Sequence, residues 1–180
     1  MDKLTSHIFK KENGQLLIEA LVAISVMMVG MLAVFGVLSE SLSLNRVAAD
    51  QYIAANLASE GIEIVKNMID SEYPLSAFGS SISPALGGNS KCAIDINTQP
   101  GGEGWECRST TSALPALRLS EGWSYNLDDG NQTKFKRYVE IEMPEADKII
   151  EVKSTVEWGR KGGASSRITV VDEFYNWRRG

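Results

Sequence analysis

Few side chains in this 180-residue chain could carry out chemistry, and their placement narrows what that chemistry is. There is one histidine, His7, and there are two cysteines, Cys92 and Cys107. A His-rich metal cage and a four-cysteine zinc site are excluded, and a His-based triad would have to rest on His7 alone. Asp128-Asp129-Gly130-Asn131 gathers oxygen ligands, but it lacks the D-x-D-x-D-G spacing and distant bidentate Glu of an EF-hand loop, so it reads as a hairpin turn. Gly87-Gly88 and Gly101-Gly102-Glu103-Gly104 have no strand–loop–helix setting and no Gly-Lys-Ser/Thr after them, which argues against a phosphate cradle. No nucleophile–base pair emerges, so no enzyme, cofactor or metal is expected. Two residues stand out instead. Glu19 is a carboxylate immediately ahead of a long uncharged run. Trp105 lies between the two cysteines and is the candidate for an exposed ligand contact, whereas Trp123 and Trp158 fall in strand phase and are expected in the core.

Glu19 is positioned by the strongest element in the sequence. Ala20 to Leu38 reads ALVAISVMMVGMLAVFGVL, 19 residues without a charge. At about 1.5 Å per residue a helix of that length spans roughly 28 Å, close to the roughly 30 Å of a bilayer's hydrocarbon core. Lys3, Lys10 and Lys11 precede it, and the next charges after it are Glu40 and Arg46, which predicts an N-inside single pass with everything after Leu38 exported. A cleaved secretory signal fits less well, because its apolar region is shorter and the one small-residue site, Val47-Ala48-Ala49, lies beyond Glu40 and Arg46. The apolar character starts earlier, at Leu16-Leu17-Ile18, and so encloses Glu19. A charge at a bilayer's centre costs about 2.5–3.5 kcal/mol on insertion scales, and less near the interface, which makes such a residue a functional hypothesis whose partner must be named.

Lys10-Lys11-Glu12-Asn13-Gly14 followed by Gln15-Leu16-Leu17-Ile18-Glu19-Ala20-Leu21-Val22-Ala23 resembles the class III leader of type IV pilins and type II secretion pseudopilins. The resemblance covers about 30 residues and rests on a short basic leader, a Gly, a Glu and a long apolar helix occurring together. It implies that a prepilin peptidase cuts between Gly14 and Gln15 on the cytoplasmic side and methylates the new terminus, removing residues 1–14 with His7 and leaving Glu19 as the fifth residue. It also implies a cell-surface filament built from sister subunits with the help of inner-membrane assembly machinery. The freed amine of Gln15, with a reference pKa of about 7.7–8.0, would then meet the Glu19 carboxylate of a neighbour and satisfy the charge only after assembly. A type II secretion pseudopilin is the alternative within that family, and a membrane-anchored binding protein that never polymerises is the alternative outside it.

Beyond the apolar block, Ser39 to Asp70 contains no proline, and Ala49, Ile53, Leu57, Gly61, Ile64 or Val65, and Met68 recur at i+3/i+4 spacing. Residues 39–70 are therefore expected to continue the 15–38 helix as an amphipathic segment, roughly 84 Å from Gln15 to Asp70. Between residues 71 and 120, Gly, Ser and Pro make up 19 of 50 positions, which predicts a loop region. Its two cysteines predict one disulfide in an exported domain, with two free thiols as the alternative. From residue 121 to 180 the period becomes two. Trp123-Tyr125-Leu127, then Phe135, Val139, Ile141 and Met143, then Ile150, Val152, Val156 and Trp158, and finally Ile168, Val170 and Phe174 predict an antiparallel sheet of about four strands, with turns at 128–131, 144–147 and 159–163. The class expected is α+β, a long helix packed on a C-terminal sheet, which is also the order of a pilin head. The formal charge of −5 and pI near 5.0 argue against a nucleic-acid partner held by a broad basic face.

Overall fold

The computed structural model describes residues 9–71, 82, 90–98, 105–108, 114–145, 148–159 and 163–176, with side chains from Gly14 onward. Lys3, His7, both Gly-rich stretches, Trp177, Arg178 and Arg179, and parts of the turns expected at 144–147 and 159–163 lie outside the described residues.

Helix α1 runs unbroken from Phe9 to Ser71, 63 residues. It starts before Gln15, because a single glycine at position 14 costs a helix only about 1 kcal/mol. It ends where Ser71 folds its hydroxyl back onto the Met68 carbonyl, 2.7 Å away, with Pro74 close behind in sequence. The chain divides into two compact units, Met1–Ala49 and Asp50–Gly180.

The second unit is α+β. Its main sheet has the order β2-β1-β6-β7-β8, with β1 Lys91–Ala93, β2 Glu106–Arg108, β6 Phe135–Glu145, β7 Ile149–Gly159 and β8 Ser165–Tyr175, each paired antiparallel to its neighbours. A smaller sheet, β4-β3-β5, is made of β3 Arg118–Leu119, β4 Tyr125–Asn126 and β5 Asn131–Gln132. The expected meander is thus three long strands rather than four. Two short strands from the Gly/Ser/Pro-rich region complete the sheet, and the 121–132 stretch leaves it to form the small one.

One face of the main sheet covers α1. Ile62, Ile64, Val65, Met68 and Ile69 pack with Cys92, Ile94, Val139, Ile141, Ile150 and Val152. A second cluster joins Ala54, Leu57 and Ala58 to Leu117, Phe135, Val156 and Trp158. The buried stripe is wider than i+3/i+4 spacing from Ala49 suggests: Ala49 is exposed and Ile53 only half-buried, while Ala54, Ala58, Ile62 and Ile69 are buried. A helix lying on a broad sheet buries about half its circumference rather than one seam. The opposite face carries polar pairs along β6–β8 and a small apolar cluster of Ala93, Leu114 and Tyr138. Thr155 and Thr169 share a hydrogen bond of 2.9 Å, and Lys153 links Glu151 and Glu142 at 2.6 and 3.7 Å.

Candidate functional site

Every large apolar side chain from Leu16 to Leu38 is 52–75% exposed. Left in water, each such side chain forgoes about 1.5–3 kcal/mol of burial. This is the one described helix long and apolar enough to cross a membrane, with a mean hydropathy of 2.6 in its best window. Only two polar side chains interrupt it between Leu16 and Leu38. Ser25 satisfies itself, its hydroxyl donating to the Leu21 carbonyl one turn back at 2.7 Å. Glu19 does not: none of the ion pairs or side-chain hydrogen bonds among the described residues involves it. Gly14 and Gln15 are exposed on the same helix, and a Cβ at Gly14 would meet nothing. The residues expected to govern processing and assembly therefore lie on one uncovered segment, with Gly14 inside the helix rather than ahead of it.

The second unit treats its polar groups differently. Arg137 occupies the helix-facing phase of β6 and is completely buried. Its Nη1 donates to the Leu57 carbonyl at 3.2 Å and lies 3.2 Å from Glu60 Oε1, while Nη2 donates to the Ile94 carbonyl at 2.9 Å. One guanidinium thus ties α1 to both β6 and the end of β1. Gly61 makes room for it: a Cβ there would collide with Ser154 Oγ and press on the Arg137 side chain. Asp95, also buried, accepts from the Asn97 amide at 2.9 Å, the Thr98 hydroxyl at 3.2 Å and the distant Leu127 amide at 3.0 Å. These bonds splice the end of β1 to the small sheet. On the other sheet face Tyr138 donates to Glu157 Oε1 at 3.1 Å, and burial together with that carboxylate pushes its pKa up to about 12. Sequence reasoning missed Arg137 and Asp95. A charged residue in the apolar phase of a strand signalled the first, and Asp-x-Asn-Thr, with its Asx-turn chemistry, signalled the second.

Cys92 and Cys107 are bonded to each other and stand opposite one another in the β1–β2 pair, so the expected disulfide is present. It closes a 15-residue separation, worth about 3 kcal/mol in the chain-entropy account. The tryptophans exchange places relative to expectation. Trp105 is half-buried and packs on the main core cluster beside Cys107, because β1–β2 pairing draws the loop onto the sheet. Trp158 is buried against Phe135, ring centroids 6.1 Å apart. Trp123 is not core at all but 83% exposed.

The cause is the turn before β4. Ser120 to Ser124 closes the β3–β4 hairpin with Trp123 N–H donating to Ser120 O at 3.1 Å and Ser120 N–H to Ser124 O at 3.0 Å. Trp123 sits at φ 61°, the left-handed region that hairpin loops of this kind usually fill with glycine. That conformation costs a bulky residue about 1–2 kcal/mol. The 128–131 segment is a turn, but β4 and β5 flank β3 on opposite sides, so it crosses over rather than joining paired strands. Beside it an open cleft of about 490 Å³ is lined by Ser120, Glu121, Asp129 and Asn131. No group of acidic, histidine or cysteine side chains able to hold a metal ion occurs among the described residues. Comparison of the chain with protein-family models, with curated proteins and with solved structures finds no match.

Proposed function

We propose that this chain is a structural subunit of a type IV pilin-like filament, without enzymatic activity, cut between Gly14 and Gln15 and assembled with sister copies through residues 15–38 of α1. The observation that carries the reading is an uncovered apolar helical segment, Leu16 to Leu38, in which Glu19 is the one polar side chain with no partner among the described residues. A bilayer would cover the apolar side chains but offer the carboxylate nothing. A neighbouring helix beginning with a free amine would cover both, about one turn of register away. Gly14 favours processing, because an exposed glycine lowers the cost of opening the helix for a peptidase. The Cys92–Cys107 disulfide supports an exported, oxidising location for the second unit, with the basic residues before Gly14 left in the cytoplasm. Partners on this reading are sister subunits, a prepilin peptidase and the inner-membrane assembly machinery.

The test is mass spectrometry of the chain's N-terminus in cells with and without the peptidase. The expected product begins at Gln15, with a methylated amine, and reverts to the uncut form when the peptidase is deleted. Recovery with Met1 to Asn13 still attached in peptidase-competent cells would overturn the reading and leave a permanently anchored binding protein.

A further inference from the structure

We propose that β8 is an association edge: it pairs antiparallel with β8 of a second copy of this chain, about a two-fold axis through Val170, joining two main sheets into one. This goes beyond assembly through residues 15–38, since it concerns the second unit and does not require the cut at Gly14. β8 ends the order β2-β1-β6-β7-β8, and no strand among the described residues lies on its other side. It is 11 residues long and pairs with β7 at every position without a bulge. Sheet edges are normally blunted by shortness, proline, lysine or a bulge, and β8 has none of these. Its unpaired backbone groups can be assigned. Asn176 N–H donates to the Lys148 carbonyl at 2.8 Å, so even-numbered positions of β8 bond to β7 and odd-numbered ones turn N–H and C=O to the open edge. One of these, the Glu173 N–H, is met at 2.9 Å by the Asp172 carboxylate of its own strand, a contact that an incoming carbonyl would replace.

Charge selects the occupant and the register. On the sheet face away from α1, one rung across β6, β7 and β8 reads Glu142, Glu151, Glu173, and another reads Lys136, Glu157, Arg167. Glu173 thus stands opposite a like charge, Glu151, while Lys153 reaches only Glu151 and Glu142. Arg167, exposed on the same edge, makes no ion pair among the described residues. Val170 is the midpoint of β8, so a two-fold axis there pairs all 11 residues and sets each Arg167 opposite Glu173 of the second copy. A shift of two residues either way sets Arg167 opposite Val171 or Tyr175 and loses both charge pairs. A shift of one sets an outward N–H against an inward one and loses the ladder. On the other face the two copies of Val170, half-buried and packed on both larger core clusters, meet each other. α1 leaves room for this. It packs on β6 and β7, and the two β7 strands would lie three strand spacings apart, about 14 Å, against the 8–10 Å of packed helices.

The experiment uses the full, uncut chain in a non-ionic detergent, with self-association measured by sedimentation velocity. Wild type is expected to dimerise. Arg167→Glu and Glu173→Arg, each alone, are expected to weaken dimerisation at least about tenfold, because every opposed pair then carries like charges. An equal mixture of the two variants is expected to restore it, because each pair again has opposite signs. Glu173→Arg also relieves the contact with Glu151, so its thermal midpoint should be unchanged or higher and misfolding cannot explain its loss. The register is read by adding one cysteine: Arg167→Cys and Glu173→Cys chains, mixed in air, should form an interchain disulfide. Neither should do so alone, since like positions lie six residues, about 20 Å, apart along the paired strands. A monomeric wild type, dimerisation indifferent to both reversals, mixing without rescue, or cross-linking by either cysteine variant alone as strong as by the mixture overturns the proposal. All of these chains share the same residues 1–38, so a failure here leaves cleavage at Gly14 and the role of Glu19 standing, and the two readings fail separately.

Discussion

Arg137 and Glu19 each interrupt an apolar run, the first on β6 and the second on α1. Arg137 is buried, its terminal nitrogens shared among two carbonyls and Glu60, all within the chain. Glu19 stands among exposed leucines, isoleucines and valines with no such provision. A charge removed from water must be met by an opposite charge or by dipoles, because the desolvation penalty is several kcal/mol per ion even after relaxation. The second unit meets that demand internally at both terminal nitrogens of Arg137, although Arg137 Nε and Ser154 Oγ are buried without a hydrogen-bond partner. Residues 14–38 meet neither the apolar nor the ionic demand internally, which is the signature of an element built for surroundings supplied by something else.

The sharpest way to break that contrast is to remove Glu19. If a sister subunit's amine is its partner, Glu19→Ala should still be cut after Gly14 but enter sheared surface filaments at least tenfold less, a change of about 1.4 kcal/mol or more in assembly. Quantitative blotting of sheared fractions against cell-bound protein measures this. The thermal midpoint of the second unit should not move, because Glu19 belongs to the other compact unit. Normal incorporation would show that the carboxylate merely reaches toward the lipid headgroups.

The other side of the contrast is the Arg137 pair, where the two partners should not be equivalent. Glu60→Leu strands a fully buried guanidinium, whereas Arg137→Met leaves only a partly exposed carboxylate and two carbonyls. We expect about 2–3 kcal/mol of lost stability for Glu60→Leu, below the full cost of breaking a buried pair because Glu60 is screened by water, and less for Arg137→Met. Chemical denaturation of both variants decides it; equal losses would mean the arginine acts through packing rather than charge.

Gly61 tests the same junction with a smaller effect. Gly61→Ala should gain helix propensity but lose more to the collision with Ser154 and Arg137, for a net loss of about 1–2 kcal/mol. Adding Ser154→Gly should recover most of it, and a double variant no better than the single would place the obstruction at Arg137 instead.

These junction residues also show where the sequence was readable. The apolar block, the long helix and the period-two strands were legible because hydrophobic spacing reports directly on geometry. The disulfide followed from the cysteine count. Strands β1 and β2 were not legible, since three-residue strands among Gly, Ser and Pro carry no period, and it is the pairing of β1 with β6 and of β2 with β1 that makes them strands. Trp123 was misplaced because alternation was extended backward from Tyr125 through a turn, where phase has no meaning. Trp105 was misplaced because a loop composition hid its attachment to the sheet. Arg137 was overlooked by reading only apolar residues in β6: position 137 shares the phase of Phe135 and Val139, and a charge at such a position asks for a carboxylate on the facing element.

Tyr138 supplies the last and smallest contrast, a polar group on the opposite sheet face that is kept neutral rather than paired. Burial and Glu157 raise its pKa from the usual 10.0 to about 12, so the native state holds this proton more tightly than the unfolded chain. Below pH 10 both states are protonated and the group has no linked effect. Between pH 10 and 12 the unfolded chain ionises first, and stability falls as pH rises. At pH 11 the loss from this residue should be about 1 kcal/mol. Tyr138→Phe gives up the hydrogen bond to Glu157 but cannot ionise, so the gap between variant and wild type measured at pH 8 should shrink by that amount at pH 11. A gap unchanged across that window would mean water reaches the phenol, and that this face of the sheet is less dry than the face built around Arg137.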